Sequence, residues 1–190
     1  AEENSVVERK LKDAELYGEA SCRVAPRQRG KGMKFDCAVE AESGTPQAVI
    51  DAAMEGVRGG ASSGPDGHPL TDMTVTLLSV GYKDLPEMLA GVQAAGSAAV
   101  RKAIAAASPV RLEPIMSLEV VAPDEDVGSV IGDLQSRGGL IQDIGWRGHM
   151  RLVKAQAPLA KMFGYSTALR SLSHGRATFT MRFHIFDRMA

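Results

Sequence analysis

Apolar and polar positions along the chain fall into runs whose period changes repeatedly. Residues 1–15 are polar and charged, and fit either a frayed end or a first edge strand. Leu16 to Val24 alternates, with Ala20, Cys22 and Val24 on one face. Met33 to Val39 alternates again, with Phe35, Cys37 and Val39 on one face. The Pro/Gly-rich stretch "APRQRGKGM" between them predicts a turn, so the two runs predict a hairpin. From Pro46 the spacing becomes helical, with Thr45 as cap, Val49, Ala53, Met54 and Val57 as the inward positions and Gly59-Gly60 as the stop. A long turn, "SSGPDGHPLTD", precedes a strand from Met73, "MTVTLLSV". After the loop Gly81 to Pro86, Glu87 to Ala107 predicts a helix whose packed face is Leu89, Val92, Gly96, Ala99, Val100 and Ile104. Its small residues suit close approach to a sheet, although Gly91 and Gly96 each cost about 1 kcal/mol in helix propensity against Ala.

Ser108-Pro109 stops that helix, and the boundary to a second unit is placed near Glu113, giving domains 1–113 and 114–190. Ile115 to Val121 predicts a strand. Pro123-Asp124-Glu125-Asp126 opens a helix with acids on its positive end, and Val127, Val130, Ile131 and Leu134 face inward. Gly138-Gly139 ends it. Leu140 to Ile144 predicts a strand, Trp146 to His149 a turn, and Arg151 to Ala157 another strand. Pro158 to Leu169 or beyond predicts a helix, and Ala177 to Phe186 the last strand. The order β-α-β-β-α-β is the split βαβ or ferredoxin-like arrangement, a four-stranded antiparallel sheet with two helices on one face. The fold class is therefore α+β with two domains.

Composition narrows the function classes. The chain has 190 residues, 44% hydrophobic and 24% charged, which suits a folded globular protein. A net charge of -1 removes any global pull toward nucleic acid, so RNA contact requires a local basic patch. Cys22 and Cys37 lack metal-ligand spacing and are read as reduced core residues, with a disulfide between them as the alternative. No run of 18 apolar residues predicts a membrane span, and no signal peptide is expected. A chain that begins Ala1-Glu2-Glu3, without Met, fits a fragment excised from a longer protein.

Candidate chemistry is sparse. His68, His149, His174 and His184 are scattered, with no partner at triad or metal spacing, so they read as surface histidines, and no catalytic or metal residue is expected. Asp124 to Asp126 suit a helix start better than a cation site. "RGKG", Arg29 to Gly32, is not a Walker loop, because no Gly-Lys-Ser/Thr opens a helix there. Two basic sets stand out. Arg23 to Lys34 holds five basic residues and no acid, with Arg29, Lys31 and Lys34 as candidates to grip phosphates; the alternative is a solvated turn. Arg170, His174 and Arg176, with Arg137 closing the other helix, form the second, which is one patch or two.

The stretches "LEPIMSLEVVAPDEDVGSVIGDLQSRGG" (residues 112–139) and "MFGYSTALRSLSHGRATFTMRF" (residues 162–183) resemble the C-terminal domain of translation elongation factor G. "PRQRGKGMKF" (residues 26–35) and "GPDGHPLTDMTVTLLSVGY" (residues 64–82) are similar to the preceding domain of that family. The resemblance implies an elongated β-α-β domain of the ribosomal-protein-S5-domain-2-like type, followed by a ferredoxin-like domain. It implies a cytoplasmic, monomeric, ribosome-binding part of a translational GTPase that promotes tRNA–mRNA translocation. The implied partners are ribosomal RNA, tRNA and mRNA at the decoding centre and the parent's upstream GTPase domains, with no membrane. No cofactor is implied in this chain, since GTP and Mg belong to the parent's GTPase domain, and this chain by itself is then not an enzyme.

Two tip loops depart from the family pattern. Where the family carries Gly-Gly-Arg-Gly-Gln-Tyr-Gly-His, "LKDAELYGEA" (residues 11–20) keeps only Tyr17-Gly18 and puts Glu19 at the His. In the second loop Lys83, after Tyr82, stands where the family has a His. The Arg-Arg pair after the Gly-Asp-Leu helix is reduced to Arg137-Gly138. The departures leave open a divergent elongation-factor-G-like or ribosome-protection-type factor that binds the ribosome without translocating. Lys83 is a point charge suited to phosphate rather than to base reading, and Tyr82 either stacks on a base or anchors the loop. Two readings compete. A small ferredoxin-like hydrolase would need a phosphate loop where the acidic "APDED" stands. A protein-interaction module would need apolar residues on the exposed sheet face.

Overall fold

The computed structural model describes residues 1–11, 14–39 and 44–188, with residues 9–11 and 14–15 described by backbone alone. The chain forms two compact units, 1–109 and 110–190.

In the first unit, β1 (Glu2–Leu11) and β2 (Ala14–Pro26) pair antiparallel, from Glu2 opposite Arg23 to Leu11 opposite Ala14. The charged N-terminal run is thus an edge strand, where charge discourages pairing with other chains. β2 also pairs antiparallel with β4 (Met73–Gly81), and β4 pairs in parallel with the short β3 (Lys34–Cys37), giving the order β1-β2-β4-β3. This corrects the hairpin expected between the second and third runs. Val75 and Leu77 of β4 are buried in the core shared with the helices, and β4 takes the central place between β2 and β3. The true hairpin pairing is β1–β2, and Lys12-Asp13, of the expected first tip loop, lie outside the described residues. Most of that expected loop is strand.

Helix α1 (Gln47–Gly60) carries the chain from β3 to β4, and α2 (Met88–Ala106) follows β4. Pro46 itself occupies the N-cap of α1, without a side-chain cap bond, where Thr45 was expected. The core combines Ala20, Cys22 and Val24 of β2, Val75 and Leu77 of β4, Val49, Ala53 and Val57 of α1, and Val92, Ala95, Ala99, Val100, Ala103 and Ile104 of α2. Leu89 is 44% exposed, because neighbouring Met88 takes the core position at that end of α2. Cys37 is also exposed; it ends a four-residue edge strand, of which Phe35 packs on the core.

Glycines set how closely these layers approach. A Cβ on Gly18 would stand 2.3 Å from the Gly91 carbonyl oxygen, and one on Gly91 2.3 Å from that of Tyr17. Between the helices, Cβ atoms on Gly56, Gly60 and Gly96 would meet backbone carbonyl oxygens of Gln93, Ser97 and Ala53. The propensity lost at Gly91 and Gly96 is thus exchanged for backbone contact.

The second unit holds β5 (Glu113–Ala122), α3 (Val127–Ser136), β6 (Leu140–Arg147), β7 (Met150–Pro158), α4 (Tyr165–Leu172) and β8 (Thr178–Asp187). Every strand pair is antiparallel and the order is β6-β7-β5-β8, the ferredoxin-like arrangement. Val127, Val130 and Leu134 of α3 share one core with Tyr165 and Leu169 of α4 and with Leu118, Val120, Val153 and Ala155, so both helices lie on one face. The molecule is the expected two-domain α+β fold.

Three local expectations are corrected here. Asp124–Asp126 form a separate 3-10 turn before α3. Trp146 and Arg147 belong to β6, and the turn is only Gly148-His149, with Gly148 at φ +66° as a two-residue hairpin favours. The helix expected from Pro158 is broken: a 3-10 turn covers Leu159–Lys161, and Gly164, at φ +75°, re-aims the chain into α4.

Candidate nucleic-acid interface

The candidate residues of the first unit sit at opposite ends of its sheet. Glu19 opposite Gly81 marks one end of the β2–β4 ladder and Pro26 opposite Met73 the other. At strand rise the two ends are about 25 Å apart. Tyr82 and Lys83 leave β4 at the first end, while the turn carrying Arg29, Lys31 and Lys34 joins β2 at the second.

At the first end, Lys83 Nζ lies 4.0 Å from the centre of the Tyr17 ring and 3.8 Å from Glu8 Oε1. Glu8 and Tyr17 are directly opposite across β1–β2, as are Val6 and Glu19. Side chains two apart along a strand share a face, so Glu8, Tyr17 and Glu19 stand together. Gly18, between Tyr17 and Glu19, faces α2 instead. Glu19 accepts a bond from Asn4 Nδ2 at 3.0 Å and lies against Gly81. Lys83 thus stands beside the carboxylate of Glu8 and on the end of the sheet that also carries Glu19, and Tyr82 is exposed next to it in the chain.

At the second end, Asp72 organises the basic turn. It is buried, and Gly30 and Gly32 donate backbone N–H bonds to its carboxylate at 3.1 and 2.8 Å. Its own carbonyl accepts from the Arg27 N–H. Burial pushes the carboxyl pKa up, but the Gly30 and Gly32 bonds, the Thr71 hydroxyl and the Arg29 charge together hold it below its ordinary value. Arg27 donates to the carbonyls of Lys31 and Gly32, which closes the turn from the other side. Arg29, whose charge acts on Asp72, and Lys31 are exposed, and Lys34 is paired with Asp36. The N–H groups at residues 30 and 32 are spent on a carboxylate and the turn joins two strands, so "RGKG" does not cradle a nucleotide phosphate.

In the second unit the structure separates the basic set. Arg176 donates to Glu125 and, from Nη2, to both oxygens of Asp126. Arg137 bonds Asp133 at 2.8 Å and donates to the carbonyls of Lys161 and Phe163, so it buttresses the turn before α4. Arg137 also lies over the ring of Tyr165, whose hydroxyl is buried and pushed upward in pKa by that burial. Arg170 is exposed on α4, and His174, at φ +48°, is exposed in the following turn. The sheet face away from the helices carries Ser117, Glu119, Asp143, Arg147, Lys154 and Gln156, with Arg147 paired to Glu119 and Lys154 to Asp143. The same face also carries Val121, Leu152 and the exposed Leu140, so it mixes ion pairs with apolar positions.

Two organisers were not read from the sequence: Tyr17 with Glu8, and Asp72. A Tyr nine residues after a Glu signals nothing until the hairpin register is known. Asp72 offered only its place at the end of a turn before a strand. Among the described residues no group of three His, Cys, Asp or Glu is placed to hold a metal, and burial pushes the Cys22 thiol up to about 11, away from nucleophilic use. No helix among the described residues is long and apolar enough to cross a membrane.

Comparison with known proteins matches residues 2–108 to the family model described as elongation factor G, domain IV, and residues 110–190 to that described as elongation factor G C-terminus. Elongation factor G of Aquifex pyrophilus is 41% identical over 174 residues, covering 91% of this chain and 25% of its own length. Elongation factor G 2 of Desulfotalea psychrophila (strain LSv54 / DSM 12343) is 42% identical over 174 residues, covering 90% of this chain and 25% of its own. A crystal structure from Thermus thermophilus aligns with a TM-score of 0.83 at 30% identity, over 98% of this chain and 28% of that one. The chain therefore spans about a quarter of the length of the curated relatives it matches.

Proposed function

The chain belongs to the elongation factor G family, and from that premise we propose that it is the C-terminal, ribosome-binding part of a translational GTPase that promotes tRNA–mRNA translocation. The observation that carries the reading is the pair of consecutive family matches, which together take in nearly the whole chain. In this reading the first unit offers Tyr82 and Lys83 at one end of its sheet to the tRNA–mRNA complex, and Arg170 and His174 of the second unit face ribosomal RNA. Phosphate contacts from lysine and arginine position a protein on folded RNA without reading sequence, which suits a factor that meets every codon. GTP and Mg are assigned to the GTPase domain of the parent factor. The factor works in the cytoplasm as a monomer.

A second reading has its own support: the carboxylate of Glu8 stands beside Lys83, which weakens the pull of that ammonium on a phosphate. On that reading the factor binds ribosomes without translocating. Multiple-turnover translocation by the full-length factor, measured beside its ribosome-stimulated GTP hydrolysis, separates the two. Both activities are expected. Hydrolysis without translocation selects the second reading, and neither activity overturns both.

A further inference from the structure

We infer that Glu8, Tyr17 and Lys83 form a releasable latch, in which Tyr17 positions the Lys83 ammonium and Glu8 occupies it until an RNA phosphate displaces the carboxylate. The inference rests on the ribosome-binding reading and goes beyond it, by saying what sets the strength of one contact.

The geometry distinguishes the two partners of Lys83. Its Nζ stands 4.0 Å from the Tyr17 ring centre, a close cation–π distance, but 3.8 Å from Glu8 Oε1, beyond hydrogen-bond range. The side chains of Lys83 and Glu8 are each about half exposed, so the ion pair is weak and screened. The ring contact uses the face of Tyr17 and leaves the ammonium N–H groups free to point elsewhere. Tyr17 thereby removes rotamer freedom from a long side chain before binding, which lowers the entropic cost of a later contact. Tyr17 is itself fixed, because β1–β2 pairing places it opposite Glu8 and its backbone abuts Gly91 of α2. Among the described residues the Glu8 carboxylate has Lys83 as its ion-pair partner and no second bond to hold it there, whereas nearby Glu19 is bonded to Asn4. Glu8 is therefore the member of the trio that an incoming anion replaces. A phosphodiester is the anion the arrangement suits: it needs a point charge and no directional reading, which an ammonium supplies.

The test measures affinity of the full-length factor for mRNA-programmed ribosomes as a function of salt. Lys83→Ala should weaken binding and lower the salt slope by about 1. Glu8→Gln should tighten binding about two- to fivefold, the range of an exposed ion pair, and the gain should shrink in the Lys83→Ala background. Tyr17→Phe, which keeps the ring, should match the parent, and Tyr17→Leu should weaken binding about threefold. The latch is overturned if Glu8→Gln leaves affinity unchanged or lowers it, or gains equally with and without Lys83, which would make Glu8 a plain repulsive charge. It is also overturned if Tyr17→Phe binds as poorly as Tyr17→Leu. Salt-dependent binding that ignores Lys83→Ala overturns the latch while the ribosome-binding reading stands. A full-length factor that does not bind ribosomes overturns both.

Discussion

Asp72 shows how one residue decides what a basic run can do. The turn from Arg27 to Gly32 would be a stretch of self-repelling charge without the carboxylate that collects the Gly30 and Gly32 N–H groups. Asp72 also adopts φ +57°, a conformation that Asp and Asn tolerate and Ala does not. Asp72→Ala should therefore lower stability by about 3 kcal/mol, from charged hydrogen bonds lost plus left-handed strain, and Asp72→Asn by less than about 1.5 kcal/mol. The folded carboxyl titrates below its ordinary value of 3.8, so its contribution is complete above that pH and is lost as pH falls through the lower, folded value. Urea unfolding between about pH 6 and acid conditions should show a falling acid limb that Asp72→Asn flattens. Arg176 and Arg137 teach the complementary lesson. Both are interface candidates whose side chains also hold the fold, bonded to Glu125 and Asp126, and to Asp133 and two carbonyls.

At the scale of elements, the helix pair α1–α2 is defined by what it lacks. Gly56 sits where its Cβ would lie 2.0 Å from the Gln93 carbonyl oxygen, inside any tolerated contact. Gly132, within α3, has nothing within 4 Å of a built Cβ. Helix propensity alone predicts that alanine helps at both by about 1 kcal/mol. Packing reverses the first sign: Gly56→Ala should destabilise by about 1–3 kcal/mol, while Gly132→Ala should stabilise by up to about 1 kcal/mol. Denaturant midpoints with unchanged m-values would check both. Elements also show where local reading stops. The alternation of β2, β4, β5 and β7 was legible because each has one buried face, and period 2 follows directly. The break before α4 was not, because Lys161-Met162-Phe163 carries helix-like residues and the stop depends on Gly164 taking φ +75°. The turn Gly148-His149 was misplaced by two residues, since Trp146 is apolar and exposed on an edge strand.

At the scale of the whole molecule, net charge near zero hides how cations are distributed. Lys31 and Lys83 lie about 25 Å apart at opposite ends of one sheet. Among the described residues no shared partner links them, so they act as separate sites. Lys31→Ala and Lys83→Ala should therefore have additive effects on ribosome affinity, within about 0.5 kcal/mol, in a double-mutant cycle on the full-length factor. Coupling beyond that would mean one stretch of RNA bridges both ends.

Strand and helix identity, the β-α-β-β-α-β order of the second unit and the small-residue faces were determined by the sequence itself, because they rest on periods of two and about 3.6 and on glycine and proline stops that act over a few residues. Tertiary structure alone decided which strands are neighbours, which cations are spent internally and which acid stands beside Lys83. Those depend on contacts between residues far apart in the chain: β4 entering between β2 and β3, Asp72 reaching back to Gly30, Arg176 reaching Glu125, and the hairpin register that sets Glu8 opposite Tyr17. Local pattern carries no information about such pairings, because the free energy that selects them comes from burying several elements at once.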